Sequence, residues 1–271
     1  MGTLGSLTQL PKRLNRRLGP KGMKVKNRNW SIYLTTLTIL SDFVAMVGEF
    51  IGTTMFLFFA FAGTQIANLN NANPTPQTSN ESTTSTVNTA NLMFISLAFG
   101  FSLMVNVWIF FRISGGLFNP AISLVLALVR IISPFRAALL VLAQVLGGIA
   151  AAALVNVLLP KSLYVRTTLG GGIIVTQGTF KMKSHVNFRS VLGDVYDCGI
   201  GFVVFMLAAE KHKATFLAPL GIGVALFMAE MAGVYYTGGN LNPVRSLGPD
   251  LVLHTFDTYV WIYCILPLDL N

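Results

Sequence analysis

Two short segments of the chain combine asparagine and proline in a pattern that suits hydrogen-bond chemistry inside a membrane. Residues 115–123 and 238–246 each contain a glycine pair, then Asn-Pro, then mostly apolar residues. This order predicts a turn that leads into a helix, because proline fits the first helical position and asparagine caps the helix end. Each asparagine would also keep an amide N–H to donate to a small polar molecule. The six central residues are Asn119, Pro120, Ala121, Asn242, Pro243 and Val244.

The repetition of the motif suggests that the two predicted helices face each other. If the two segments fold back into a membrane from opposite sides, their N-termini meet near its middle, as in inverted-repeat membrane proteins. Both positive dipole ends then point at one site and oppose cations there. A water held at that site could not relay a proton along a file of waters, so a proton wire would be interrupted. The alternative is that both segments are ordinary Asn-Pro turns.

Arg245 and Glu49 are ionisable residues in strongly apolar sequence. Insertion of an arginine into a bilayer costs about 2.5–3.5 kcal/mol, so an intramembrane arginine is a functional hypothesis by default. Arg245 follows Asn242 within the second motif. Its alternative role is an interfacial side chain that extends to the membrane surface. For Glu49, a structural role as a hydrogen-bond acceptor is favoured over a role as a proton relay.

The elements that would position these residues are membrane-spanning helices. Of the 271 residues, 53% are hydrophobic and only 11% are charged, whereas a soluble domain carries roughly 25% charged residues. Long apolar runs cover residues 43–66, 92–111, 137–159 and 215–236. Each run reaches or exceeds the ~20 residues that cross a bilayer as a helix. The sequence therefore predicts an all-α polytopic membrane protein.

The predicted organisation is less regular in the second half of the chain. Residues 1–42 form a basic tail, 43–159 a first repeat, 160–190 a connecting loop and 191–271 a second repeat. The fourth span, residues 198–209, contains only 12 residues, and a sixth span of eight apolar residues, 259–266, is too short to cross a bilayer. The sixth span is therefore expected to be truncated.

Positive charge is concentrated before the first span, and this predicts the orientation of the chain. Eight of the 19 Lys and Arg residues lie there, whereas residues 67–91 contain none. The positive-inside rule then places the N-terminus in the cytoplasm and residues 67–91 outside, where Asn80 begins a glycosylation sequon. Five positive charges in residues 161–190 oppose the rule. This distribution argues against nucleic-acid binding as the reason for the net charge of +9.

With its two Asn-Pro motifs and Glu49, the chain from residue 43 to about 266 resembles the aquaporins, or major intrinsic proteins. It is most similar to fungal orthodox water channels, on the runs Trp261-Ile262-Tyr263 and Ser246-Leu247-Gly248-Pro249. The resemblance implies an aquaporin-like inverted repeat with two re-entrant half-helices. It also implies a passive channel that conducts water and excludes protons and ions. The resemblance leaves open whether the channel also conducts glycerol and other small neutral solutes.

The resemblance also implies roles for single residues. Phe99, Glu230, Gly239 and Arg245 match the extracellular selectivity filter, in which Glu230 replaces the histidine that water channels usually carry. Glu49 matches a buried glutamate that supports the re-entrant loop. The family forms homotetramers with one pore per subunit, in the plasma membrane or an internal membrane. No cofactor or metal is implied.

Departures from the family pattern leave a second function open. The second motif reads Asn-Pro-Val, Glu230 brings a carboxylate to the filter, and residues 181–196 do not fit the start of a fourth span. The alternative function is that of a truncated, non-conducting paralogue that acts only as a structural or assembly partner. An enzyme is not expected, because no Ser/His/Asp set, metal cluster or phosphate loop is visible.

Overall fold

Every regular element of the computed structural model is a helix within the residues it describes, which are 27–69, 88–160, 215–256 and isolated positions between 199 and 207. The helices are α1 (Asn27–Ala67), α2 (Thr89–Phe110), α3 (Pro120–Leu128), α4 (Pro134–Leu158), α5 (Ala218–Thr237) and α6 (Pro243–Leu253). A 3₁₀ turn, Thr215–Leu217, leads into α5. The predicted all-α class is confirmed.

Four of the described helices are long and apolar enough to cross a membrane. Their spanning segments are Thr36–Ala67, Thr89–Phe110, Pro134–Leu158 and Thr215–Tyr235, which agree with the four long runs predicted from the sequence. In each segment 44% of the most apolar window is buried within the protein, and the rest is at least partly exposed. Large apolar side chains such as Phe59, Trp108 and Leu142 lie on these exposed faces. An apolar surface of this extent suits lipid rather than water.

The first helix begins earlier than the apolar run that predicted it. It starts at Asn27, whereas the predicted span starts at Phe43. No glycine or proline occurs between residues 27 and 47, so nothing in the local sequence breaks the helix. Its 41 residues correspond to about 60 Å at ~1.5 Å per residue, roughly twice the thickness of a hydrocarbon core. Part of α1 therefore extends beyond the membrane.

Helix packing brings the two halves of the chain together. Helix α1 packs against α2 and α4, α2 packs along α5, and α4 contacts both short helices, α3 and α6. A buried ion pair also joins α1 to α4, because Nη1 of Arg136 lies 2.8 Å from Oδ1 of Asp42. The sequence did not predict this pair. Each residue of the pair neutralises the other, and either charge would be costly to bury alone.

Several predicted features lie outside the described residues. They are the basic tail before residue 27, Asn80 and its loop, the connecting loop at 161–190, most of the fourth span and the whole sixth span.

Candidate functional site

The two predicted asparagines each cap a short helix. Oδ1 of Asn119 accepts a hydrogen bond from the backbone N–H of Ala121 at 2.9 Å, at the start of α3. Oδ1 of Asn242 accepts one from the N–H of Val244 at 3.0 Å, at the start of α6. Both asparagines have extended backbone conformations, and a proline follows each at the first helical position. The local structure is the one expected from the motif.

The two caps are joined by a reciprocal pair of hydrogen bonds. Nδ2 of Asn119 donates to the backbone oxygen of Leu241 at 2.9 Å. Nδ2 of Asn242 donates to the backbone oxygen of Phe118 at 2.7 Å. Each asparagine thus binds the residue that precedes the other asparagine, as an internal two-fold relation requires. The structure brings the N-termini of α3 and α6 together, with their positive dipole ends at one junction.

Glu49 of α1 holds the segment that leads into α3. Its Oε1 accepts hydrogen bonds from Oγ of Ser114 at 2.6 Å and from the N–H of Leu117 at 3.0 Å. Its Oε2 accepts from the N–H of Phe118 at 2.8 Å and from Nε2 of Gln144 at 2.8 Å. The carboxylate is fully buried. Four donors therefore satisfy a group that would be costly to bury alone.

Phe118 connects this network to the junction of the short helices. Its N–H donates to Glu49, and its carbonyl oxygen accepts from Asn242. Its φ of 50° lies in the left-handed region, a conformation that costs a non-glycine residue about 1–3 kcal/mol and persists only where the surroundings impose it. The two hydrogen bonds supply that constraint.

Gln144 and Ser123 extend the network from α4 to α3. Nε2 of Gln144, which binds Glu49, also lies 2.9 Å from Oγ of Ser123. The hydroxyl of Ser123 lies 3.1 Å from the backbone oxygen of Asn119. Sequence reasoning missed both residues. The available signal was a glutamine inside a long apolar span, where a polar side chain is expected to have a buried partner.

The second motif is held in place by close packing. A Cβ at Gly148 of α4 would overlap Cγ1 of Val244, and one at Gly248 of α6 would lie 2.6 Å from the backbone oxygen of Gly148. Helix α6 therefore rests directly on α4. The valine that replaces alanine in the second motif fills the space that Gly148 leaves. A hydrogen bond between Asn240 and Ser246 also ties the loop before α6 to the helix itself.

The four predicted filter residues lie in two pairs, Phe99 with Arg245 and Glu230 with Gly239. The two pairs are linked through the chain, because Arg245 also binds Gly238, the neighbour of Gly239. Arg245 is buried, its Nη2 donates to the backbone oxygen of Gly238 at 2.6 Å, and its Cζ lies 5.7 Å from the ring centroid of Phe99. This distance is within the range of a cation–π contact. The carboxylate of Glu230 lies against Gly239. The structure thus brings Phe99 to Arg245 and Glu230 to Gly239.

A small cavity of about 40 Å³ adjoins the junction. The two asparagines and the segment before α3 line one part of it, and Phe56, Leu103, Ile222 and Leu226 line another. Its volume exceeds the ~10–15 Å³ that a cavity needs to hold one water. Its wall combines amide donors and backbone groups with apolar side chains.

Sequence reasoning missed the apolar residues of the cavity wall, although their spacing from the predicted site residues could have indicated them. Leu103 follows the predicted filter residue Phe99 by one turn of α2, and Leu226 precedes Glu230 by one turn of α5. Phe56 follows Glu49 by two turns of α1. Residues at these spacings share a helix face, so they are expected to line the same side of the bundle.

The geometry defines a class of protein: a polytopic membrane protein in which two half-helices meet inside a helical bundle. The family model for the major intrinsic proteins matches residues 36–268. The chain is 53% identical over 227 residues to a probable aquaporin-5 of Gibberella zeae, and 55% identical over 230 residues to aquaporin-5 of Botryotinia fuckeliana. Each alignment covers 84% of this chain. The chain belongs to the major intrinsic protein family.

Two further comparisons bear on the fold and the length. The X-ray structure of the aquaglyceroporin from Plasmodium falciparum matches with a TM-score of 0.60 and 19% identity, and covers 83% of this chain and 90% of that one. This match supports the aquaporin-like fold. The chain spans 39% and 40% of the lengths of the two fungal relatives.

Proposed function

We propose that the protein is a passive transmembrane channel for water, with small neutral solutes such as glycerol as further candidates. The observation that carries the proposal is the reciprocal pair of hydrogen bonds between Asn119 and Asn242 at the junction of α3 and α6. Family membership and the names of the fungal relatives support it. The family's activity is conduction rather than catalysis, so the protein is not an enzyme.

The junction would orient a water that passes it. Each side-chain amide uses one N–H in the reciprocal pair, and the second N–H of each would donate to the oxygen of the central water. A water whose oxygen accepts from both asparagines directs its own hydrogens away from the junction, and this interrupts a proton wire. The two helix N-termini add positive potential at the same point and oppose cations. Proton and cation exclusion therefore belong to the proposal.

Phe99, Glu230, Gly239 and Arg245 would form the narrow filter of this channel. The guanidinium of Arg245 offers donors to water, while Phe99 limits the width on one side. By the charge distribution of the sequence, the N-terminus is cytoplasmic and the filter faces outward. We further propose a homotetramer in the plasma membrane or an internal membrane, with one pore in each subunit.

Water flux through this chain in proteoliposomes tests the proposal. Stopped-flow light scattering after an osmotic step should show faster shrinkage than for empty liposomes, with a low activation energy. Asn242→Leu removes one of the two asparagine donors and the cap of α6, and should abolish most of this increase. Phe59→Leu changes an outward-facing residue of α1 and should leave the flux unchanged. Equal rates for the parent chain and empty liposomes would contradict conduction and favour the alternative, a non-conducting assembly partner.

A further inference from the structure

The loop between α5 and α6 rests on the carboxylate of Glu230. Glu230 lies on α5 and is only 1% exposed. Helix α5 ends at Thr237, and the next two residues, Gly238 and Gly239, have left-handed backbone conformations, with φ of 76° and 73°. A Cβ at residue 239 would overlap Oε2 of Glu230 and lie 2.9 Å from its Cδ. The carboxylate therefore occupies the space that any side chain at residue 239 would need.

The same loop supplies the backbone oxygens that bind Arg245 and Asn119. The oxygen of Gly238 accepts from Nη2 of Arg245 at 2.6 Å, and the oxygen of Leu241 accepts from Asn119 at 2.9 Å. A change in the support beneath Gly239 would therefore move the acceptor of the filter arginine and the acceptor at the asparagine junction together.

We propose that Glu230 is a positioning residue that sets the filter through Gly239. Its carboxylate supports the backbone of residue 239 from the α5 side, and Gly239 is required because the carboxylate fills the adjacent space. Glu230 then affects solute selectivity through the position of Arg245, an effect that rests on the proposed channel function.

A double-mutant cycle between residues 230 and 239 tests the contact without any assumption about conduction. Gly239→Ala should lower the melting temperature of the purified chain in detergent by roughly 5–10 °C, because its Cβ would overlap the Glu230 carboxylate and the left-handed backbone adds strain. Adding Glu230→Ala removes the overlap and should restore about half of the loss. Adding Glu230→Gln retains the volume and should restore none of it.

A matched glycine separates overlap from backbone strain. Gly115 also has a positive φ, of 113°, but a Cβ there would meet only Leu117, at 3.7 Å. Gly115→Ala should therefore lose stability through strain alone, and Glu230→Ala should not restore it. Additive losses for Gly239→Ala and Glu230→Ala would overturn the proposal, as would equal restoration by Glu230→Gln.

Solute selectivity tests the functional part of the proposal. Glu230→Ala removes the support beneath the loop and should raise the ratio of glycerol to water permeability in proteoliposomes at least about threefold, equivalent to roughly 0.7 kcal/mol. Glu230→Gln should change this ratio less, because it retains the volume beneath Gly239. An unchanged ratio for Glu230→Ala would overturn the effect on selectivity. If no variant conducted water, the channel function would be contradicted. Non-additive melting temperatures would in that case still support the contact between Glu230 and Gly239.

Discussion

Substitution of Glu49 by glutamine would test whether hydrogen bonds to one carboxylate hold the first motif. The substitution keeps the shape of the side chain but replaces one oxygen with an NH₂ group. Each carboxylate oxygen accepts from two donors, Ser114 and Leu117 at Oε1, and Phe118 and Gln144 at Oε2. Whichever oxygen is replaced, one backbone N–H and one side-chain donor lose their acceptor and face another donor.

The expected cost follows from that count. Two hydrogen bonds to a charged acceptor contribute about 3–6 kcal/mol. Removal of a buried charge and reorientation of the side-chain donor offset part of the loss, which leaves a net destabilisation of about 2–4 kcal/mol. At roughly 2–4 °C per kcal/mol, the melting temperature should fall by about 5–15 °C. Water permeability should fall as well, because Phe118 links Glu49 to Asn242.

The assay is thermal unfolding of the purified chain in detergent, with two variants for comparison. Ser114→Ala removes one of the four donors to Glu49 and should cost about half as much as Glu49→Gln. Ser96→Ala is the control, because the buried Ser96 hydroxyl donates to the backbone oxygen of Leu92 in its own helix, at 2.8 Å, and not to the segment that Glu49 holds. Its removal should change the melting temperature by little. If Glu49→Gln were no less stable than Ser96→Ala, the reasoning from donor count would be refuted.

Two further predictions follow from the glycine contacts. Gly148→Ala should destabilise the protein by about 1–3 kcal/mol in detergent unfolding, because its Cβ would overlap Val244, and Val244→Ala in the same chain should recover part of that loss. If Val244→Ala recovered none of the loss, the overlap with Val244 would not be its cause. The native cysteines, Cys198 and Cys264, lie in apolar sequence outside the two motifs, so water flux should resist mercurials. A cysteine substituted for Gly239 should confer mercurial sensitivity when Glu230→Ala makes room for it, and strong block of the parent chain would show that a native thiol reaches the pore.

The helical architecture was predictable because it depends on local properties of the sequence. A helix satisfies all the backbone hydrogen bonds of a long apolar run within the run itself, as lipid requires, and the four long runs match four spans of the structure. The Asn-Pro motifs predicted the starts of α3 and α6 because capping and proline preference act within a few residues. The roles assigned to those residues in conduction stay predictions.

The resemblance implied that Glu49 supports the re-entrant loop, but the particular partners in most contacts of the site were not predictable, because they lie far apart in the chain. Gln144 binds Glu49 across 95 positions of sequence, and Asn242 binds Phe118 across 124. The left-handed conformation of Phe118 is another example, since no local preference of phenylalanine favours it. The overlap of Glu230 with the space beside Gly239 also depends on how α5 ends. Each of these contacts follows from helix packing, which local patterns do not specify.

The two halves of the described site meet symmetrically at the asparagines but are supported by different interactions. The first half-helix depends on a buried carboxylate whose four donors come from two other parts of the chain. The second depends on close contact between Val244 and Gly148, and on a loop that rests on Glu230. Hydrogen bonds to a carboxylate require a defined geometry, whereas apolar packing tolerates compensating changes of volume. Paired substitutions should therefore be accepted more readily around α6 than around Glu49, so the sequence of the second motif can vary while the junction is kept.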